Sequence, residues 1–299
     1  RVLVRSVDIN ATGENNGATC TNAFVDLQVA LEGAEAGDQI WVAAGSYYPS
    51  KPANRDAVFE IPSGVKLYGG FAGTETSIGE RNWAVNNTVL DADIGVPYDN
   101  SDNTYRLLVS YSTTLVFIDG FTIANGYADG GAYYQPYGGG ALIYDCPNAT
   151  IKNCWFVDSY SVFFGGALFA QYVNLSLSNC EFDSNVSDIY GGAAYFADAD
   201  VSIRDTVFNS NEADSIGGAI YYSNGSFDAS SCDFTNNNVL NGDGAALYTD
   251  SVITSIQDST FVGNYAAYAG GAIYQYSASL SLSNVTFSSN QSDDEGGAV

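Results

Sequence analysis

The second half of the sequence repeats itself about every 26 residues, and this constrains the fold more than any other feature. Two neighbouring glycines followed by alanine recur in it, with the degenerate version Asp243-Gly244-Ala245 in one copy. The second glycine of each motif is Gly140, Gly166, Gly192, Gly218, Gly244, Gly271 and Gly297. A phenylalanine keeps the same period, at Phe156, Phe182, Phe208, Phe234, Phe261 and Phe287. Two motifs with one period indicate a stack of equivalent units.

Each copy predicts short strands rather than helices. Apolar and polar residues alternate before each phenylalanine, as in Leu175-Ser176-Leu177, and this is the pattern of a half-buried strand. A turn residue such as Asn179 follows, then a second strand, and the Gly-Gly-Ala segment supplies a third. Three short strands and three turns per copy fit one coil of a parallel β-helix, stacked at about 4.8 Å. Aligning the copies places the single extra residue between Ala245 and Phe261.

Residues 1–138 lack this regularity and predict a capped, irregular start to the same solenoid. Residues 23–34 place Phe24, Leu27 and Leu31 on one helical face, with Asn22 as the N-cap. Strands are predicted near 39–44, 58–61, 65–68, 89–90, 107–110 and 115–118, with long loops over 71–105 and 125–138. We therefore predict an all-β parallel β-helix with an N-terminal capping helix, its irregular coils in 1–138 and its regular coils in 139–299.

Charge and composition exclude several classes of protein. Nine Lys and Arg stand against 34 Asp and Glu, so the net charge of −25 excludes nucleic acid and anionic membrane surfaces as partners. No apolar run is long enough to cross a membrane as a helix, so membrane insertion is not expected. Among the five cysteines, Cys154, Cys180 and Cys232 share one position of the repeat, which favours small core residues. A disulfide between Cys154 and Cys180 is also compatible with the spacing of adjacent coils.

The same residues argue against a catalytic centre. The chain has no His, and the regular coils offer only Lys152 and Arg204 as basic groups, two coils apart. Acid pairs such as Asp91 and Asp93 are more simply solvated loop residues. We therefore expect no enzyme activity, no catalytic residue and no cofactor. Acidic loops leave Ca²⁺ open, although no Asp-x-Asp-x-Asp-Gly loop is present.

Two columns of the repeat are candidates for a special role. An Asn follows most of the phenylalanines by three positions, and we expect a hydrogen-bonded ladder along the axis, formed by Asn185, Asn211, Asn237, Asn264 and Asn290. Aromatic residues recur two positions after the Gly-Gly-Ala motif. They predict an outward interaction stripe of Phe169, Tyr195, Tyr221 and Tyr274, unless loops cover it.

The motifs also resemble known families. Gly-Gly-Ala-(Ile/Leu/Ala) with Phe-x-x-Asn resembles the repeats of the polymorphic outer-membrane proteins, whose passenger regions are surface-exposed β-helical adhesins. The segments Gly37-Asp38-Gln39-Ile40-Trp41-Val42-Ala43 and Tyr68-Gly69-Gly70-Phe71 resemble large secreted right-handed β-helix proteins of bacteria. The resemblance implies a right-handed solenoid and an extracellular or cell-surface location.

Two hypotheses of function follow. The first is a non-enzymatic extracellular structural or adhesive protein that associates with itself, laterally or head to tail into a filament, or binds glycans or host and cell surfaces. The sequence stops within the Gly-Gly-Ala segment of a coil, so we expect further coils or another subunit beyond it. The alternative is a β-helix that binds or cleaves polysaccharide, because stacked aromatic side chains also suit sugar rings.

Overall fold

The computed structural model describes residues 3–49, 54–133, 135–277 and 279–299. Over these residues the chain forms a right-handed parallel β-helix of about nine turns, with very little helix. The three sheets run along the solenoid, and successive coils pair in parallel throughout. The predicted fold class is therefore confirmed, whereas the division at residue 138 stays a prediction.

Sheet 1 is the largest of the three and contains 13 strands in the described part of the chain. Its strands are Val4–Val7, Gln39–Ala43, Phe59–Glu60, Lys66–Phe71, Leu108–Tyr111, Val116–Asp119, Ala141–Lys152, Leu168–Ser178, Ala194–Arg204, Ile220–Ser230, Leu247–Gln257, Ile273–Tyr276 and Leu280–Ser283.

Sheets 2 and 3 complete each coil with much shorter strands. Sheet 2 contains Gly45–Tyr47, Thr88–Asp91, Thr122–Ala124, Trp155–Val157, Glu181–Asp183, Val207–Asn209, Asp233–Thr235, Thr260–Val262 and Thr286–Ser288. Sheet 3 contains Tyr127–Ala128, Tyr160–Ser161, Val186–Ser187, Glu212–Ala213, Asn238–Val239, Tyr265–Ala266 and Gln291–Ser292.

The strands of a coil differ from the predicted ones in one respect. The segment after the glycines and the alternating segment before each phenylalanine form one strand of 11 or 12 residues in sheet 1. A residue with positive φ bends this strand at its middle, for example Tyr172 at 56° and Asp198 at 49°. Periodicity shows both halves but not that they are continuous, because the bend occupies a single residue.

The register corrects the position of the extra residue. Gly217 and Gly244 are equivalent, with φ of 69° and 68°, so the degenerate motif is Gly244-Ala245-Ala246. Ala213 pairs with Val239, whereas Ile220 pairs with Leu247, and the offset therefore grows from 26 to 27 between these two pairs. The extra residue lies before Gly244, and its predicted place between Ala245 and Phe261 is wrong.

The two glycines of each motif have different physical roles. The first has positive φ, 68° at Gly191, which glycine adopts without the steric cost of a Cβ. The second lies against the backbone of its neighbours: a Cβ at Gly192 would be 2.3 Å from the carbonyl oxygens of Glu212 and Gly218. The motif is therefore a tight corner between sheets 3 and 1.

Two internal columns hold the coils together. The recurring phenylalanines stack with ring centroids 4.6–5.1 Å apart from Phe156 to Phe287, and all but the partly buried Phe287 are buried. In the asparagine column, the side chain of Asn211 accepts hydrogen bonds from the backbone N–H and the side-chain amide of Asn185, at 3.1 and 3.0 Å. It donates to Phe182 O at 2.9 Å and to Asn237 Oδ1 at 3.0 Å. The same bonds recur from Asn185 to Asn290.

The N-terminal helix is shorter than predicted. It spans Leu27–Glu32 and buries Leu27, Ala30 and Leu31 against the end of the core. Its N-cap is Asp26, whose carboxylate accepts from Gln28 N at 2.8 Å, and the predicted Asn22 cap is wrong. Asn22 instead accepts from Glu14 N at 3.0 Å in the preceding loop. The stretch from 23 to 26 keeps the helical spacing of apolar residues but is extended.

The cysteines of the repeat lie inside the solenoid as free thiols. Cys154, Cys180 and Cys232 are buried, and no disulfide joins Cys154 to Cys180. Desolvation in the core raises the pKa of Cys180 to about 12 and that of Cys232 to about 11. Burial of a thiol penalises its thiolate, so these groups are inert at neutral pH.

Candidate functional site

The predicted aromatic stripe is a continuous stack on the outer face of sheet 1, but it is half-covered. Ring centroids of Phe169 and Tyr195 are 5.3 Å apart, and those of Tyr195 and Tyr221 are 5.1 Å apart. Tyr248 continues the stack to Tyr274 at 5.2 Å. A second row packs against it, with Phe164 4.7 Å from Tyr195 and Tyr190 4.9 Å from Tyr221. Phe169 is buried, so at that end the stripe is covered, which is the alternative that the sequence left open, and the stripe's role in interaction stays a prediction.

The basic residues are not as scattered as the sequence suggests. Arg81, from the irregular half, donates from Nη2 to Asp119 Oδ2 at 2.5 Å, and Lys152 Nζ lies 3.4 Å from the same oxygen. Lys66 Nζ and Lys152 Nζ both lie over the ring of Phe117, at 5.5 and 5.2 Å from its centroid. Lys66, Arg81 and Lys152 therefore lie around the Phe117 and Asp119 side chains of sheet 1. Lys66 reaches this place because it pairs with Phe117, which in turn pairs with Thr150, two residues before Lys152.

The Arg81–Asp119 pair anchors a loop that crosses the corner between sheets 1 and 2. Arg81 Nη1 also donates to Gly69 O at 3.0 Å, and Asn82 N donates to Gly70 O at 2.9 Å. Trp83 follows and covers two glycines: a Cβ at Gly70 would lie 2.5 Å from its Cα, and one at Gly120 3.1 Å from its Cβ. The loop thereby holds Trp83 close to the solenoid.

A cleft of about 530 Å³ lies between this loop and the corner. Two of its walls are Trp83 and Trp155, whose residue surfaces remain 40% and 42% exposed. Trp155 occupies the outward position of its strand in sheet 2, where the next coils carry Glu181 and Val207. The remaining lining is mostly polar and small, and includes Asn87, Thr122, Asn153, Asn179, Glu181 and Asp205.

Hydrogen bonds tie the polar wall of the cleft to the buried carboxylate. Asn179 Nδ2 donates to Asn153 Oδ1 at 2.8 Å, and Asn153 Nδ2 donates to Asp119 Oδ1 at 2.6 Å. Asn153 and Asn179 have φ of 53°, so their side chains stand at the turn between sheets 1 and 2. Glu181 is exposed, yet partial desolvation and the neighbouring Asp183 carboxylate raise its pKa above the ordinary value. The cleft thus combines two aromatic faces, amide groups and carboxyl groups.

Sequence reasoning did not single out Trp83 or Trp155. The available signal was Trp155 itself, because it is the one aromatic residue in a column that otherwise holds Glu181, Val207, Asp233, Thr260 and Thr286. Trp83 offers no such signal, since its loop lies outside the repeat.

Two other surface depressions are less suited to a ligand of defined chemistry. A groove on the outer face of sheet 1, of about 350 and 480 Å³ in two adjoining parts, is lined by a mixture of polar and apolar residues, with Asp200 and Asn174 in both parts. A depression of about 820 Å³ contains Asp91, Asp93 and Asp158. In the described part of the chain, no group of three or more His, Cys, Asp or Glu is arranged to hold a metal ion, so the calcium hypothesis gains no site.

Comparison with known proteins assigns the family. A model of the right-handed β-helix region matches residues 77–292, well over half of the sequence. The chain belongs to this right-handed β-helix family. The resemblance to the polymorphic outer-membrane proteins is not confirmed. No curated protein matches the sequence.

Several solved structures have a similar fold. Pectate lyase Pel9A matches with a TM-score of 0.53 and 12% identity, over 94% of this chain and 78% of that one. Pectin methylesterase from Aspergillus niger and polygalacturonase from Erwinia carotovora ssp. carotovora match with TM-scores of 0.45 and 0.43. They cover 100% and 98% of this chain and 90% and 95% of their own, at 12% and 13% identity.

These matches correct one conclusion drawn from the sequence. The expectation that this chain is not an enzyme is contradicted, because pectate lyase Pel9A, which it matches with a TM-score of 0.53, is an enzyme. Absent His and few Lys and Arg were too weak a basis for it, since the structure brings Lys66, Arg81 and Lys152 together from distant parts of the sequence. At these identities the similarity shows the fold alone.

In the described residues no helix is long and apolar enough to span a membrane.

Proposed function

We propose that this chain is an extracellular polysaccharide-binding β-helix whose binding site is the cleft between Trp83 and Trp155. The observation that carries the proposal is the pair of exposed indoles beside an amide and carboxyl wall. Indole faces pack against the C–H faces of sugar rings, while amides and carboxylates hydrogen-bond to ring hydroxyls. We therefore prefer polysaccharide binding to the hypothesis of a non-enzymatic adhesive protein. Self-association stays a prediction.

Binding is tested by removing the aromatic face without disturbing the coil. Trp155→Ala removes an exposed ring from the outward face of sheet 2, so the solenoid core is left intact. We expect at least a 10-fold loss of affinity for a polysaccharide bound by the wild-type chain, measured by affinity electrophoresis and calorimetry. Val262→Ala is the matched control, since Val262 is also outward in sheet 2 and 36% exposed but lies far along the axis. Unchanged affinity in Trp155→Ala would refute the site.

Cleavage by hydrolysis is a second candidate function, favoured by Glu181. Partial desolvation and the Asp183 carboxylate raise the pKa of Glu181, which favours its protonated form as a donor to a leaving glycosidic oxygen. Asp205 provides a second carboxylate on the wall of the same cleft, as a base for water. We expect wild-type protein to release reducing ends and Glu181→Gln to lose this release while keeping its affinity. Equal release by the two proteins would exclude Glu181 as the proton donor.

A further inference from the structure

We infer that the cleft selects a neutral polysaccharide and disfavours polyuronates such as pectate. The inference deepens the proposed function and rests on it. It also separates this chain from pectate lyase Pel9A, which has a similar fold.

The first ground is the charge of the cleft wall. Its ionisable lining residues are Glu181 and Asp205, with the thiols of Cys154 and Cys180 behind them. No Lys or Arg is among the described residues that line the cleft. A uronate carboxylate would therefore meet carboxylates with no cation to pair with. The environment already disfavours negative charge at Glu181, where Asp183 adds to the desolvation.

The second ground is that the nearest basic groups are committed elsewhere. Arg81 and Lys152 both face Asp119, whose side chain is only 1% exposed. Arg81 is itself 11% exposed, and Lys152 is 38% exposed but is not among the described residues that line the cleft. Arg81 Nη1 donates to the backbone carbonyl oxygens of Gly69 and Asp119, at 3.0 and 3.3 Å. Arg204 precedes Asp205, but its guanidinium reaches Ser230 Oγ at 3.4 Å within sheet 1. These side chains build the loop and the sheet edge, and they do not reach into the cleft as carboxylate receptors.

The third ground is the electrostatic potential produced by the net charge of the whole chain. The net charge of −25 produces a negative potential that lowers the local concentration of polyanions. Salt screens this potential with a Debye length of about 8 Å at physiological ionic strength. A neutral polymer does not experience it. Its binding depends on the indole faces of Trp83 and Trp155 and on the amides of Asn153 and Asn179.

The substrate class also constrains the chemistry. β-Elimination at a sugar requires a carboxyl at C6, which makes the C5 proton acidic enough to remove. A neutral sugar lacks this group, so cleavage of the glycosidic C1–O bond must add water: one proton goes to the leaving oxygen and hydroxide to C1. Glu181 and Asp205 both line the cleft and are the groups that would supply the acid and the base, and no basic group is among the described lining residues.

The experiment compares hexasaccharides of equal length. Neutral β-1,4-linked hexamers of glucose, xylose and mannose, and hexagalacturonate, are titrated calorimetrically into wild-type chain at low and high salt. We expect one neutral hexamer to bind at least 10-fold more tightly than hexagalacturonate, with an affinity that salt leaves unchanged. We expect the double variant Glu181→Lys/Asp205→Lys to raise hexagalacturonate affinity about 10-fold, the order expected of two reversed charge contacts across water.

The outcomes separate the inference from the proposed function. Hexagalacturonate binding as tight as that of any neutral hexamer, and lost in Trp155→Ala, would overturn the inference while the site stands. Binding of neither class, in wild-type protein that is folded by circular dichroism, would overturn both. Neutral binding that Trp155→Ala abolishes and Val262→Ala retains supports both.

Discussion

Removal of one asparagine from the internal ladder tests what holds adjacent coils in register. Asn211 is fully buried in the middle of the ladder and takes part in four side-chain hydrogen bonds. Asn211→Ala removes all four and leaves the backbone N–H of Asn185 without its acceptor. Water does not replace these partners readily, because the column lies inside the solenoid.

The expected cost follows from these bonds. A hydrogen bond contributes about 1 kcal/mol net, and a buried donor left unpaired costs about 1–3 kcal/mol. Four lost bonds, one of them to a buried backbone amide, therefore predict a loss of about 4 kcal/mol in the free energy of unfolding. We also expect the Asn185 amide to exchange its hydrogen faster, since its protection depends on the Asn211 side chain.

Urea unfolding followed by circular dichroism measures the first quantity, and hydrogen exchange the second. Asn174→Ala is the matched control: Asn174 is an exposed asparagine in a sheet 1 strand, and surface substitutions change stability by about 0.5 kcal/mol or less. If Asn211→Ala costs no more than Asn174→Ala, or leaves exchange at Asn185 unaltered, the ladder does not carry the stability assigned to it.

Four further predictions follow from the same structure. Gly192→Ala places a Cβ 2.3 Å from two carbonyl oxygens and should lower the free energy of unfolding in urea by about 1–3 kcal/mol or more. Gly79→Ala is the control and should be neutral, because no atom lies within 4 Å of its new Cβ. Burial raises the pKa of Cys180 to about 12, so its thiol should resist iodoacetamide at pH 8 until the chain unfolds, and rapid labelling of Cys180 itself in native protein, located by peptide mass spectrometry, would contradict this. Burial raises the pKa of Tyr195 from the ordinary 10.0 to about 12. Because the folded pKa is the higher one, the contribution of Tyr195 to stability should be complete below pH 10 and fall between pH 10 and 12. Tyrosinate absorbance and urea midpoints measured across this range check the prediction. Asp119→Asn removes the carboxylate shared by Arg81 and Lys152 and should lower the free energy of unfolding by about 3 kcal/mol. It should also speed proteolysis of the loop that carries Trp83. An unchanged cleavage rate would mean that other contacts hold the loop.

The repeat predicts the fold because each position of a coil meets its own copy in the next. Phe182 stacks on Phe208 and Asn185 bonds to Asn211 for this reason, and the period alone reveals both contacts. It does not reveal where a deletion or insertion lies. Moving the degenerate glycine motif by one residue gives a nearly equal alignment, and only the register shows that Gly244, with φ of 68°, is the corner glycine.

The irregular half could be predicted only in part, for the same physical reason. Its strands near Gln39–Ala43 and Val116–Asp119 have the expected alternation, but no internal copy indicates which of them stack. Pairing of Lys66 with Phe117, and of Phe117 with Thr150, is what brings Lys66 close to Lys152. The sequence separation of these residues hides the contact. The argument that the basic residues are too far apart to form a catalytic centre did not take this pairing into account.

A solenoid of equivalent coils offers the same surface at every level, so a site for one ligand requires a departure from the repeat. Trp155 is such a departure, because it replaces the small or acidic residues that its column carries in every later described coil. The loop of Trp83 is the second, and it lies at the coil where Asp119 can anchor it. The two coincide at one corner, where they enclose the cleft. We therefore expect that changes in the Trp155 column affect ligand binding only in the coils that the loop covers. Val207→Trp would lengthen the aromatic face and tighten binding of a longer oligosaccharide, whereas Thr286→Trp, beyond the loop, would leave affinity unchanged in the same titration.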